Sequence, residues 1–178
     1  MHFTLRPWAF DDLESLVRHA DNPKISRFMS DKFIHPYTAD QGRRFISFAT
    51  QNPPYRILAI DIGGEAMGAI GIHPQEDIQR KNAELGYWLA EPFWGKGIMT
   101  AAIRQMVEYG FAHWDIERIF ARPFGTNTGS QRALQKAGFV LEARLEKTLY
   151  KDGEYLDEWI YAVRRSAFAQ SNPPTQPL

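Results

Sequence analysis

Apolar residues recur along this chain with two different periods, and the switches between them outline its elements. Residues 3–6 read as a short strand closed by Pro7. Leu13, Leu16, Val17 and Ala20 then return at helical spacing, with Asp11 or Asp12 placed as the cap. Thr38-Ala39-Asp40-Gln41 matches a capping box, in which the two end side chains satisfy backbone N–H groups reciprocally. The helix it opens carries Phe45, Ile46, Phe48 and Ala49, and Asn52-Pro53-Pro54 stops it. Residues 55–61 and 65–72 are strand-like and join as a hairpin at Ile62-Gly63-Gly64. A further strand spans 82–91 and ends at Pro92.

From Gly97 the period lengthens again, and Met99, Ile103, Met106 and Gly110 line one side of a helix over 97–113. A strand follows at 116–122, then a loop at 123–126 and a short helix over 127–137 closed by Gly138. Residues 139–150 and 154–163 form a long hairpin across Lys151-Asp152-Gly153. Beyond Arg165 the polar, proline-rich end has nothing to bury, so a disordered tail is expected over 166–178. Hairpins at both ends with a β-α-β stretch between them predict an α+β fold. The expected sheet is mixed, mostly antiparallel and twisted, with helices on both faces of a single domain over 1–165.

Composition removes several functions. A chain of 178 residues suits one domain whose core needs no covalent staples. Lys plus Arg and Asp plus Glu are each 21, so no basic field exists for nucleic acid or an anionic membrane. No apolar run reaches the ~18–20 residues that span a bilayer, and the first residues lack the apolar region of a signal peptide. A cytoplasmic protein is the expectation. The absence of cysteine excludes disulfides, thiolate zinc cages and a cysteine nucleophile. His2, His19, His35, His73 and His113 are scattered without an HExxH spacing, and no metal is expected. No serine lies in GxSxG, which counts against a serine hydrolase.

One stretch carries ligand chemistry. Leu85-Gly86-Tyr87-Trp88-Leu89-Ala90-Glu91-Pro92-Phe93-Trp94-Gly95-Lys96-Gly97-Ile98-Met99-Thr100 runs from a strand, through two glycines, into a helix. The first helical N–H groups lack internal partners, and with the helix dipole they favour a phosphate or pyrophosphate there. Taken alone, Gly-x-Gly is as compatible with a tight turn that holds nothing. A dinucleotide fingerprint fails, because Thr100 stands where its third glycine belongs and Asp115 and Glu117 precede the next strand. A Walker loop fails as well, since Gly97 follows Lys96 where Ser or Thr is required.

Five ordered motifs narrow the choice. Gly86-Tyr87-Trp88-Leu89, Phe93-Trp94-Gly95-Lys96-Gly97-Ile98-Met99, Asn127-Thr128-Gly129-Ser130, Lys136-Ala137-Gly138-Phe139 and Asp152-Gly153-Glu154-Tyr155-Leu156-Asp157 resemble successive signatures of the GNAT superfamily of acetyl-CoA-dependent N-acetyltransferases. Within it the likeness is to the branch of ribosomal-protein alanine and serine N-acetyltransferases, the RimJ/RimL-like proteins, and it spans about 5–163. The resemblance implies acetyl-CoA as co-substrate, its pyrophosphate on the backbone of Trp94, Gly95, Lys96, Gly97, Ile98, Met99 and Thr100. It implies that Leu89 offers backbone groups to the pantetheine arm and thioester carbonyl, and that Asn127 contacts the pantetheine or cysteamine end. Pro92 departs from the pattern, standing where the superfamily has Arg or Gln; a loop that works through backbone N–H groups tolerates this.

The implied reaction moves an acetyl group to a primary amine, on a protein N-terminus or a small molecule, by direct attack in a ternary complex. It needs a neutral amine, a donor for the carbonyl oxygen and a proton for the departing thiolate. Glu84, on the strand leading to the loop, is the candidate base acting through a water; the competing reading is a solvent-facing strand carboxylate. Ser130 matches the branch's Asn-x-x-Ser and is the candidate to orient or protonate the sulfur, against ordinary helix-start bonding. Asp157 and Tyr161 on the final strand rank below Glu84. Trp88 and Trp94 are expected to pack as core or cleft wall. The alternative function is a non-catalytic acyl-CoA sensor or interaction module on the same fold. A homodimer is expected only because symmetric pairs are the commonest oligomers.

Overall fold

A computed structural model describes residues 2–171. Its seven strands are Thr4–Arg6 (β1), Ile57–Ile62 (β2), Glu65–Pro74 (β3), Asn82–Leu89 (β4), Arg118–Ala121 (β5), Val140–Lys151 (β6) and Glu154–Arg164 (β7). They form one sheet in the order β1-β2-β3-β4-β5-β7-β6. Antiparallel pairing prevails, while β4 and β5 run parallel with Asn82 beside Arg118 and Glu84 beside Phe120. The helices are Leu13–Ala20 (α1), Pro23–Ser26 (α2), Ala39–Ala49 (α3), Ile98–His113 (α4), Thr128–Lys136 (α5) and Arg165–Ser171 (α6). This is the α+β, mostly antiparallel arrangement that the hairpin pattern predicts. By contact the chain divides into two compact units.

One unit comprises residues 2–72 and 86–106. Its core gathers Trp8, Leu16, Ile25, Ile46, Ile57 and Trp88, with Phe45 standing edge-on to Trp8 at 5.2 Å between centroids. α1 and α3 meet at Gly42, where an added Cβ would lie 2.7 Å from Leu13 Cδ1. The capping box forms as read: Thr38 Oγ1 accepts the Gln41 N–H, and Gln41 Oε1 accepts the Thr38 N–H at 2.6 Å. The β2–β3 hairpin turns on Gly63 and Gly64 at φ +68° and +89°, the left-handed pair that matches strand twist.

Asp12 does more than begin a helix. A 3-10 turn over Phe10–Asp12 precedes α1, and the buried Asp12 carboxylate accepts from Ala9 N–H at 2.9 Å. Arg6 grips the same carboxylate through both terminal nitrogens and reaches Asp61 through Nε at 2.7 Å. Burial works to raise the Asp12 pKa, but the bonds from Arg6 and Ala9 outweigh it and the net shift is downward.

The other unit comprises 73–85 and the described residues from 107 onward. β7 pairs with β5 on one side and β6 on the other, and Ile119, Leu134, Phe139, Tyr161 and Val163 are buried. The β6–β7 turn uses Asp152 and Gly153 at φ +52° and +86°, as the Asp-Gly pair predicts. α5 ends in paired bonds from Gly138 N–H to Gln135 O and from Phe139 N–H to Leu134 O, both 3.0 Å, with Gly138 left-handed at φ +97°.

The C-terminal expectation needs correction. Residues 166–171 of the expected tail belong to the helix α6, where Arg165 finds carbonyl partners at Phe111, Trp114 and Ile116 and Phe168 lies tilted against Phe111 at 5.9 Å between ring centroids. Residues 172–178 of that expected tail lie outside the described residues.

Candidate active site

The glycine loop is built from its two ends. On the strand side, β3 approaches β4 so closely at Gly68 that an added Cβ would fall 2.5 Å from the Trp88 carbonyl oxygen. Ala90 N–H bonds Met67 O at 2.7 Å just beyond, and Leu89 itself is buried. The strand ends at Leu89, earlier than expected, because Glu91–Phe93 folds into a 3-10 turn that holds Pro92 near its start. A proline has no N–H to lose there, which accounts for its presence in place of the superfamily's polar residue.

Trp94 is where the expectation was incomplete. The residue is 42% exposed, and its Nε1–H donates to the Leu89 carbonyl at 2.7 Å. The indole therefore bridges the strand end and the loop start through its polar edge. Trp88 is buried as expected, with Phe33 6.2 Å away between centroids. Gly95 and Gly97 both take left-handed φ values, +72° and +78°, and both are exposed. The Ala101 N–H closes onto Gly97 O at 3.1 Å, so the N–H groups of Ile98, Met99 and Thr100 precede the first helical bond. Donors of that kind, on exposed backbone at the start of a helix, fit a pyrophosphate.

The helix behind the loop buries Ile98, Ala102, Ile103, Met106, Val107 and Phe111. Ile103, Met106 and Gly110 of the expected stripe are buried, Met99 at its start is only half-buried, and Ala102 and Val107 widen the buried face. The loop's approach is also tied from outside it: the Glu91 carboxylate accepts from Asn22 Nδ2 at 2.9 Å and from Lys24 Nζ.

The second unit carries the other candidates. Glu84 is not a lone carboxylate facing solvent: Arg122 forks onto it, Nε to Oε1 at 3.0 Å and Nη2 to Oε2 at 3.1 Å. Arg122 Nη1 lies 3.5 Å from Oε1 of the buried Glu158. The hydrogen bond to Glu84, ahead of the opposing effect of burial, raises the Arg122 pKa further. Each Glu84 oxygen keeps a second lone pair for a water. Neither Arg122 nor Glu158 was a candidate from sequence, since a pair separated by 38 residues leaves no periodic trace.

Asn127 caps α5, its Oδ1 accepting the Ser130 N–H at 3.1 Å, which leaves the amide nitrogen as its donor. Ser130 is half-buried in that first turn. Gln131 braces the preceding loop by donating to Phe124 O at 3.1 Å and Gly125 O at 2.9 Å. Asp157 accepts the Lys147 N–H at 2.9 Å, where Lys147 is left-handed at φ +51° and the β6–β7 register slips. Tyr161 is fully buried, and its hydroxyl accepts from Gln135 Nε2 at 3.4 Å. Both of these lower-ranked residues thus have structural employment. Among the described residues no group of three or more His, Asp or Glu is placed to hold a metal ion, and no helix is long and apolar enough to cross a membrane.

A strand that ends in a glycine loop, followed by a long helix with exposed backbone at its start, is the arrangement on which the family assignment falls. Residues 2–140 match the acetyltransferase (GNAT) domain, and the chain belongs to that family. It is an acetyl-CoA-dependent N-acetyltransferase with an amine as acceptor, rather than a binding module. The uncharacterised N-acetyltransferase p20 of Bacillus licheniformis is 27% identical over 173 residues, 93% of this chain and 94% of that one. The microcin C7 self-immunity acetyltransferase MccE, solved with acetyl-CoA and AMP, is 28% identical at a TM-score of 0.76, covering 91% of this chain and 92% of its own. RimL, the ribosomal L7/L12 α-N-protein acetyltransferase solved with coenzyme A, shares the fold at a TM-score of 0.81 and 23% identity, covering 93% and 95%.

Proposed function

We propose that Glu84 is the proton acceptor for the amine, acting through a water, and that Leu89 with residues 94–100 and Asn127 holds acetyl-CoA. The observation that carries the first assignment is the Arg122 fork, which fixes the carboxylate's orientation on the strand that continues to Leu89. An acceptor arrives as an ammonium ion and passes one proton through water to Glu84. Its nitrogen lone pair forms the C–N bond at the thioester carbonyl; the C–S bond breaks and its electron pair leaves with sulfur. The second nitrogen proton goes to the thiolate, with the Ser130 hydroxyl the candidate relay. No covalent enzyme intermediate is needed, in keeping with a chain that has no cysteine.

The acceptor is a protein N-terminus or a small primary amine. RimL is a ribosomal L7/L12 α-N-protein acetyltransferase and MccE a microcin C7 self-immunity acetyltransferase, and a net charge of zero gives this chain no pull toward a protein or a small-molecule acceptor. A panel of N-terminal peptides, polyamines, aminoglycosides and amino acids, scored by thiol release from acetyl-CoA, separates them. Action in the cytoplasm as a homodimer belongs to the same proposal, and the mass at high micromolar concentration tests the dimer.

Glu84→Gln keeps the size and one of the two bonds from Arg122 but removes the base. Turnover should fall at least about a hundredfold, acetyl-CoA affinity should hold, and the loss should shrink as pH rises and more amine arrives neutral. Retention of more than about a tenth of wild-type turnover at neutral pH, with chemistry rate-limiting, would remove Glu84 from the role.

A further inference from the structure

A carboxylate stands immediately before a loop that has to receive an anion. Glu91 opens the turn Glu91–Phe93, its carbonyl accepting the Trp94 N–H at 3.1 Å, and the glycines follow directly. An uncompensated negative charge so near a pyrophosphate would repel it. Glu91 is compensated from a separate element: Asn22 Nδ2 donates to Oε2 at 2.9 Å, and Lys24 Nζ to Oε1. The same Asn22 caps α2, its Oδ1 accepting the Lys24 N–H at 2.8 Å with Pro23 at the first helical position. The cap therefore fixes the backbone that presents Lys24 to Glu91. Lys24 is 62% exposed, so the pair adds little to folding stability, and its weight falls on the local charge instead.

We propose that Lys24 is a positioning residue for coenzyme A, cancelling the charge of Glu91 so that the loop accepts the pyrophosphate. This rests on the loop being the pyrophosphate site. The Lys24 bond first, and Asn22 next, hold the Glu91 carboxyl below the usual carboxylate range. It is therefore an anion wherever the enzyme works near neutrality, and without Lys24 the loop faces a fixed negative charge.

The test is calorimetric titration of coenzyme A into the full chain at low salt and at high salt, with thermal melts confirming that each variant is folded. Lys24→Ala should weaken binding about three- to fivefold at low salt, as one uncompensated charge beside a doubly charged group would, and the deficit should fade at high salt. Lys24→Arg should bind like wild type, and Glu91→Gln should bind more tightly. The decisive variant is Lys24→Ala/Glu91→Gln. Charge cancellation predicts recovery to within about twofold of wild type, whereas a contact that merely shapes the turn predicts a double variant as weak as Lys24→Ala. That second result, or an unchanged Lys24→Ala at low salt, overturns the proposal. Gly97→Glu, measured alongside, separates the two levels: wild-type affinity there removes the loop assignment itself, while its loss beside an unaffected Lys24→Ala removes only the role of Lys24.

Discussion

Gly68 supports the Leu89 end of β4, the end proposed to meet acetyl-CoA. A methyl group added there would sit 2.5 Å from the Trp88 carbonyl oxygen and 3.1 Å from Leu89 Cα. Both are backbone atoms, so no rotamer change relieves the clash. To reach ordinary contact, β3 and β4 must part by roughly 1 Å, and overpacking of this kind costs about 1–3 kcal/mol. For a chain of this size each 1 kcal/mol lowers Tm by about 2–4 °C, so Gly68→Ala should melt about 2–12 °C lower. The displacement falls on Leu89 and Ala90, whose bonds to Trp94 Nε1 and Met67 O are both 2.7 Å. KM for acetyl-CoA should therefore rise several-fold while the pH profile of kcat keeps its shape. Thermal melts and steady-state thiol release measure the two effects. A Tm within about 1 °C of wild type, with KM unchanged, would show that the strands yield freely and that the close approach supports nothing.

Two further outcomes follow from single side chains. Asp12→Ala should cost about 2–3 kcal/mol at neutral pH, since it strips a buried partner from Arg6 and from the Ala9 N–H. Because the folded carboxyl lies below its ordinary value, its stabilisation is present above pH ~4 and is lost as pH falls through the lower folded pKa, so the gap to the variant should close as pH falls below about 4 in urea melts. Asn127→Asp keeps an oxygen to cap α5 but replaces the amide donor with charge. Its Tm should stay within about 2 °C of wild type while coenzyme A binding weakens at least about tenfold; unchanged binding would take Asn127 out of the cofactor site.

What the sequence made legible was local. The Thr38–Gln41 box, the Gly63-Gly64 and Asp152-Gly153 turns and the Gly138 stop are each decided within a few residues, and each forms as read. α2 carries a local signature of the same kind, since Asn22 followed by Pro23 is a cap and a first-turn residue in sequence. Trp94 illustrates the limit of composition, because aromatic bulk suggests packing while its N–H serves Leu89 five residues back. The Arg122 fork and the Asn22–Glu91–Lys24 clasp were beyond reach. They join segments tens of residues apart through side chains whose positions in the chain follow no period. The tail failed for a related reason, since the interior partners of Arg165 and Phe168 come from the end of α4 and its following loop.

Arg165 closes more than the last strand. Its guanidinium caps three carbonyls, Phe111 at 2.8 Å, Trp114 at 3.0 Å and Ile116 at 2.8 Å, and it lies 4.9 Å from the centre of the Phe111 ring. Its own backbone N–H reaches Glu117 O at 3.0 Å. The residue after the final strand thus stands in for the turn that α4 lacks at its exit. For anyone shortening or tagging this enzyme, the natural cut is not where the sheet ends. A chain severed after Arg164 would strand those carbonyls and bare the Phe111 ring, whereas a fusion partner joined beyond Ser171 leaves the plug in its socket.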